Sequence, residues 1–213
     1  MKKNVAILMG GFSSEKDISL KSGEVIYQNI NRSKYNPYKI IVKKDNWIYL
    51  NDHNQEFDVN LEDFSIISNN TKIKLEVAFI IIHGSPGENG LIQSYFELKN
   101  IPYTGCNSYT SALTFNKRDC LSILEKHDIP TANSFHINKN EKFETDHIIQ
   151  KVGLPCFVKA NRSGSSFGVF KVYKDNELKE YINKALEYDN EVLVESFLDG
   201  VEVSVGVMDY KNK

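Results

Sequence analysis

The chain of 213 residues carries 26 lysines and arginines against 28 aspartates and glutamates, a formal net charge of -2. That balance leaves no basic stripe for nucleic acid and no acidic tail of the disordered kind. The longest apolar run, Val77 to Ile82, is too short to span a bilayer, and Cys106, Cys120 and Cys156 lack C-x-x-C spacing, so they read as reduced thiols of a cytoplasmic protein.

The length suffices for two domains of roughly 100 to 150 residues each. The N-terminal MKKNVAILMGG has a basic start, but its apolar segment is very short and ends in Gly-Gly, which makes it a first strand rather than a signal peptide. Val5 to Met9 is a continuous apolar run, the pattern of a strand buried on both faces of a parallel sheet. Gly10-Gly11 breaks it. Ser13 and Ser14 then open a helix through about Asn29, with Ser14 and Asp17 at capping-box spacing and Ile18, Val25 and Ile26 on its apolar face. Tyr38 to Val42 and Trp47 to Leu50 read as strands. Residues 51–76 are polar and weakly patterned, with one expected strand at Ile73 to Leu75. Val77 to Ile82 is the strongest strand signal and closes in His83-Gly84-Ser85-Pro86-Gly87. A helix over Glu88 to Lys99, a brief strand at Ile101 to Tyr103 and a short helix over Ser108 to Leu113 follow. Strand–helix alternation with ligand-type loops at strand C-termini predicts a doubly wound, Rossmann-like α/β domain over 1–115.

Composition changes near Asn116. A helix over Lys117 to His127, a strand over Ser134 to Ile137 and a helix over Asp146 to Val152 lead to strands at 156–159 and 168–173. A helix from Asp175 to Glu187 and a strand from Glu191 to Glu195 come next. Val201 to Met208 alternates, with valines on one face and Glu202 and Ser204 on the other. The second domain, 116–200, is therefore predicted as α+β, with 201–213 opening a further unit.

Phe157 to Val172, FVKANRSGSSFGVFKV, joins two strands through a Ser/Gly loop and carries Lys159 beside it. Gly164, Ser165 and Ser166 allow close backbone approach and offer hydroxyls and N–H groups to phosphate oxygens, with Lys159 as a point charge. An ordinary hairpin with a solvated lysine has the same pattern. Glu15, just inside the first helix, either complements the helix dipole or holds a substrate ammonium. His83 ends a buried strand, where open α/β sheets bind ligands, yet a lone histidine is also an ordinary structural residue. Lys117 falls in the first turn of its helix, where the dipole disfavours a cation, and a bound anion explains the arrangement. Glu195, followed by Phe197 and Leu198, could present backbone groups to an adenine, and Glu202 could take ribose hydroxyls; both acids equally fit solvated strand positions. No Ser/His/Asp triad, Walker A loop, zinc-ligand cluster or GxGxxG is present.

Together, GGFSSEKDISLKSG (10–23), HGSPGENGLIQ (83–93), PYTG (102–105), FNK (115–117), VKANRSGSSFGV (158–169) and EVLVESFLDGVEVSVG (191–206) resemble the D-alanine–D-alanine ligase family of ATP-grasp enzymes, in family order over nearly the whole chain. The resemblance implies ATP-dependent joining of two D-alanines for peptidoglycan synthesis through an acyl phosphate. It implies that Glu15 grips the first D-alanine's ammonium in one network with Ser165, and that His83 lies near the reacting carboxylate. Lys117 and Lys159 would hold phosphates under the 164–168 loop. Glu195, Phe197 and Leu198 would read adenine, and Glu202 the ribose. Magnesium is expected, with its ligands beyond this chain, and so is a homodimer. Ala160, Asn89 and Phe115-Asn116 depart mildly from the family pattern. The family also continues past the last residue here, where only Asp209 follows Glu202 as a carboxylate, so a ligase whose chain lacks its C-terminal part, inactive alone, is expected. A non-catalytic nucleotide- or amino-acid-binding module, and a relative that uses D-lactate or D-serine as second substrate, are the alternatives.

Overall fold

The computed structural model describes residues 1–164 and 166–208. Its first half is built on β1 (Lys3–Gly10), whose last six residues are all buried. β1 lies between β2 (Tyr35–Val42) and β7 (Val77–Ile80) and runs parallel to both. β3 (Trp47–Leu50) and β4 (Glu56–Asp58) extend the β2 edge antiparallel, giving the order β4-β3-β2-β1-β7. The sheet is therefore mixed, parallel from β2 through β1 to the β7 edge and antiparallel beyond β2. The short β3–β4 hairpin follows β2 with too few residues between for a crossover helix, so antiparallel pairing is forced.

Strand alternation divides the layers. Ala6 and Leu8 of β1, with Ile40 and Val42 of β2, face a core that holds Phe64, Ile92 and Phe96. Burial of each such large side chain contributes about 1.5–3 kcal/mol. On the opposite face α1 (Lys16–Asn29) packs on β1 and β2. There Gly23 lies so close to Met9 that an added Cβ would stand 2.7 Å from its methyl carbon. The core side is closed by α2 (Leu91–Lys99) and by the hairpin of β5 (Ser65–Ser68) and β6 (Thr71–Lys74). Trp47, Phe64, Tyr95 and Phe96 meet edge-on or tilted, the pair Tyr95–Phe96 with centroids 5.1 Å apart. Tyr95 donates to the Leu61 carbonyl at 2.7 Å, and burial, aided by nearby Asp63, pushes its phenol up to about 12.

The second half is an antiparallel sheet in the order β10-β9-β11-β8: β8 (Ser134–Asn138), β9 (Cys156–Ala160), β10 (Val169–Val172) and β11 (Glu191–Ser196). α5 (Thr145–Val152) and α6 (Asp175–Ala185) cover one face, where Ile148, Leu178 and Ile182 pack on Val158, Val192 and Val194. Period-two alternation sends Phe157, Lys159 and Glu195 to the uncovered face. α3 (Ser108–Phe115) and α4 (Lys117–Lys126) join the halves. Among the described residues no helix is long and apolar enough to cross a membrane.

Several expectations change. The capping box of Ser14 and Asp17 is not formed: Glu15 is the N-cap residue of α1, and Ser13 supplies the local bond, its Oγ accepting from Glu15 N at 3.2 Å. Ser13 is drawn there because the same hydroxyl donates to the His83 carbonyl at 2.8 Å. Ile101 to Tyr103 forms only a bridge, Tyr103 against Ala78. Residues 51–76 hold three strands rather than one. The alternating stretch 201–208 is not a strand. Its valines lie open, Val201 at 92% exposure, and no described strand pairs with it, so its backbone polar groups face water.

Candidate active site

Asn116 caps α4, its side chain accepting from Asp119 N at 3.2 Å. The cap sets Lys117 in the first turn, where its Nζ donates to the carbonyls of Ala160 (3.2 Å), Asn161 (3.2 Å) and Ser163 (2.6 Å). These three carbonyls belong to the end of β9 and the start of the Ser/Gly loop, so Lys117 anchors that loop from below. Burial lowers the Lys117 pKa, and the neighbouring Lys159 ammonium lowers it further. A cation held in this way is stabilised by any anion that enters beside it.

Asn161 is the hub of the loop. Fully buried, it gives its amide to Asn116 Oδ1 (2.8 Å) and Glu191 Oε2 (2.9 Å) and accepts from Arg118 N (2.9 Å). Arg162 next to it forks onto Asp189, with bonds of 2.7 and 3.1 Å. Ser163 Oγ closes the loop onto the Phe167 carbonyl at 2.8 Å. Ser166 sits at φ +63° and Gly168 at φ +66°, where a Cβ on Gly168 would stand 2.9 Å from that of Ala160. The described residues on either side of the loop are thus tied down, Arg162 to Asp189 and Ser163 to Phe167. Ser165 lies outside the described residues.

Lys159 projects from the uncovered face of the sheet and pairs with Glu195, an acid only 8% exposed. The pair stands where two hollows meet. One, about 520 Å³, is lined by Lys117, Lys159, Gly164, Ser166 and Glu202. The other, about 420 Å³, is lined by Phe157, Glu195, Phe197, Leu198 and Glu202 and shares Lys159. Lys171 Nζ lies 3.8 Å above the Phe197 ring and so fixes that wall.

A third hollow, about 200 Å³, brings the halves together: Ser13, Glu15 and Gly84 from the first, Ser163, Gly164 and Phe167 from the second. Glu15 is 4% exposed there. Its carboxylate is flanked by glycines, for a Cβ on Gly164 would approach Oε2 to 2.9 Å and one on Gly84 to 3.3 Å. His83 lines a different hollow, of about 440 Å³, with Gln93, Glu88 and Phe115. The structure therefore groups Lys117, Lys159, Gly164, Ser166, Glu195, Phe197, Leu198 and Glu202 around two adjoining hollows, puts Glu15 next door, and sets the His83 ring apart.

Sequence reading missed Asn161, Glu191, Asp189 and Arg118. Asn161 and Arg162 read only as part of the loop between two strands, and Glu191 only as the first residue of the strand Glu191 to Glu195. Only their pairing across the sheet reveals the support they give the loop.

Two ammonium groups beside a tight Ser/Gly loop suit a polyanion, and a buried carboxylate between glycines suits a small cation. Fold and site together define a mixed α/β protein built on two main sheets, with a composite cleft lined by Lys117, Lys159 and Glu15. The profile described as D-ala D-ala ligase N-terminus matches residues 4–106, and the D-ala D-ala ligase C-terminus profile matches residues 123–213. The chain belongs to the D-alanine–D-alanine ligase family. It is 51% identical over 211 residues to the D-alanine–D-alanine ligase of Flavobacterium johnsoniae, covering 99% of this chain and 65% of that protein. Among solved structures it resembles D-alanyl-alanine synthetase A from Vibrio cholerae (TM-score 0.82, 31% identity, 93% of this chain and 60% of that one). It also resembles the D-alanine–D-alanine ligase from Bacillus anthracis complexed with ATP (TM-score 0.73, 28% identity, 93% and 60%). The chain spans about two thirds or less of the length of each.

Proposed function

We propose that a protein containing this chain joins two D-alanines to D-alanyl-D-alanine using ATP, as a cytoplasmic step of peptidoglycan synthesis. The observation that carries this reading is the convergence of Lys117, Lys159 and the Gly164 loop on one hollow, with Glu15 of the other half pressed against the same loop. In this reading Lys117 and Lys159 hold the phosphates, and Gly164, Ser165 and Ser166 cover them. Glu195, with the main chain at Phe197 and Leu198, borders the adenine, and Glu202 takes the ribose. Glu15 holds the ammonium of the first D-alanine, and His83 stands toward its carboxylate side. The division into 1–115 for substrate, 116–200 for nucleotide and 201–213 as the start of a further unit belongs to the same proposal, as does a homodimer.

The chemistry follows from charge. The first D-alanine's carboxylate attacks the γ-phosphorus, ADP leaves, and an acyl phosphate results; the second D-alanine's amine then displaces inorganic phosphate. Lys117 and Lys159 offset the repulsion between carboxylate and triphosphate, and Glu15 fixes the nucleophile by its other end. Magnesium would neutralise triphosphate oxygens when bound. Among the described residues no three His, Cys, Asp or Glu side chains converge to hold a metal.

The test is isotopic. D-Alanine labelled with heavy oxygen in its carboxylate should pass one labelled oxygen to the released phosphate, because that oxygen bridges carbon and phosphorus in the acyl phosphate. Complete retention of label in the amino acid and dipeptide would contradict the proposal.

A further inference from the structure

The first turn of α4 has a second cap besides Asn116, and it comes from just past the end of β9. The opening N–H groups of a helix have no partner within it. In α4 the Lys117 N–H goes to the Asn161 carbonyl at 3.4 Å, and the Arg118 N–H goes to Asn161 Oδ1 at 2.9 Å. Asp119 N is left to Asn116. The Asn161 carbonyl also accepts from Lys117 Nζ at 3.2 Å, so one residue binds both the main chain and the ammonium of that lysine. Asn161 Nδ2 donates to Asn116 Oδ1 (2.8 Å), which joins the two caps, and to Glu191 Oε2 (2.9 Å), which ties them to β11. The main chain repeats that tie, Asn161 N donating to the Glu191 carbonyl at 2.9 Å.

An asparagine side chain suits these bonds because it offers two N–H donors and an acceptor on one short amide. The donors meet a cap oxygen and a carboxylate, and the acceptor meets a backbone N–H. Aspartate would set an oxygen against the Glu191 carboxylate, and an apolar residue would leave Arg118 N without its bond in a buried place. The helix dipole disfavours a cation in the first turn, yet the carbonyls of Ala160, Asn161 and Ser163 hold the Lys117 ammonium there. We propose that Asn161 is a positioning residue for Lys117, capping α4 from the Ser/Gly loop so that the ammonium keeps a fixed place in the hollow it shares with Lys159 and Gly164. Helix, lysine and loop then hold one relation through a single amide. The proposal rests on the ligase reading only in taking the anion beside Lys117 for ATP.

Two measurements test it, each in a protein carrying this chain. The first needs no nucleotide: the Lys117 ammonium is followed by nitrogen NMR, its resonance assigned by loss in Lys117→Met. Held by carbonyls, it should be sharp and slow to exchange in the parent, and should broaden or shift in Asn161→Ala. An unchanged ammonium overturns the proposal whatever ATP does. The second is a double-mutant cycle on ATP affinity, read by calorimetry. Asn161→Ala should weaken ATP binding about tenfold, the scale of one buried hydrogen bond left unmade, but by less than about twofold in the Lys117→Met background. An equal loss in both backgrounds would make Asn161 a general support of the fold and overturn the proposal. So would no loss from Asn161→Ala where Lys117→Met does weaken ATP. If Lys117→Met leaves ATP affinity unchanged, the ligase reading of Lys117 fails, and the ammonium resonance alone decides the role of Asn161. Should Asn161→Ala not fold, Asn161→Ser is judged by the same outcomes, since its hydroxyl keeps a polar group in the site without spanning Asn116 and Glu191.

Discussion

Glu15 and Gly164 meet across the two halves of the chain, so closely that a Cβ on the glycine would stand 2.9 Å from Glu15 Oε2. The far end of an exposed glutamate could swing aside from a methyl group. Glu15 is 4% exposed, so its carboxylate shifts only within the small hollow it lines, and either that carboxylate or the loop has to give. Gly164→Ala should therefore weaken ATP binding about tenfold, equivalent to about 1.4 kcal/mol, while the melting temperature stays within a few degrees. Gly206→Ala, where no atom lies within 4 Å of the added carbon, is the matched control. Titration calorimetry of both variants checks this, and equal affinities would show that the contact does not shape the cleft.

Replacing Glu15 by glutamine preserves shape and removes charge. In a protein carrying this chain, Glu15→Gln should raise the KM for D-alanine by about tenfold or more, the loss expected of a charge-assisted bond, with thermal stability near that of the parent. A large melting loss with unchanged kinetics would return Glu15 to the service of its helix alone.

Arg162 and Asp189 give a pH-dependent contribution. Burial would raise the Asp189 pKa, but the hydrogen bonds and charge of Arg162 hold it below the usual 3.8. A carboxylate with a lowered folded pKa contributes stability fully above its unfolded value and loses it as pH falls through the folded value. Asp189→Asn should thus cost about 1–3 kcal/mol at neutral pH, and the difference from wild type should shrink as pH falls below 3.8. Chemical denaturation at several pH values measures it. A difference independent of pH would mean the ion pair is idle.

Much of this was legible in the sequence because its signals are local. The apolar run of Val5–Met9 can only be a buried strand, and Asn116 before Lys117 states where α4 begins. The lysine–loop–strand order of 157–172 likewise carries its own register. What escaped depended on partners far along the chain. Phe64, fully buried at φ +53°, anchors the aromatic cluster from a stretch whose polarity hid its strands. Asn161 gains its role only through Asn116 and Glu191, 45 and 30 residues away. The alternation of Val201 to Val207 is a strand signal, but alternation specifies a face, and a ladder requires a neighbour that the described residues do not provide.

Lys159 bears most directly on the central claim. Phosphate release and dipeptide formation should be followed together, with ATP and D-alanine, in a protein carrying this chain and in its Lys159→Ala variant. The reading predicts equimolar phosphate and D-alanyl-D-alanine in the parent. In the variant both should fall together, by about thirtyfold or more for the loss of a charged contact near 2 kcal/mol, without loss of helix content by circular dichroism. Undiminished turnover in Lys159→Ala, or phosphate released without dipeptide in the parent, would contradict it.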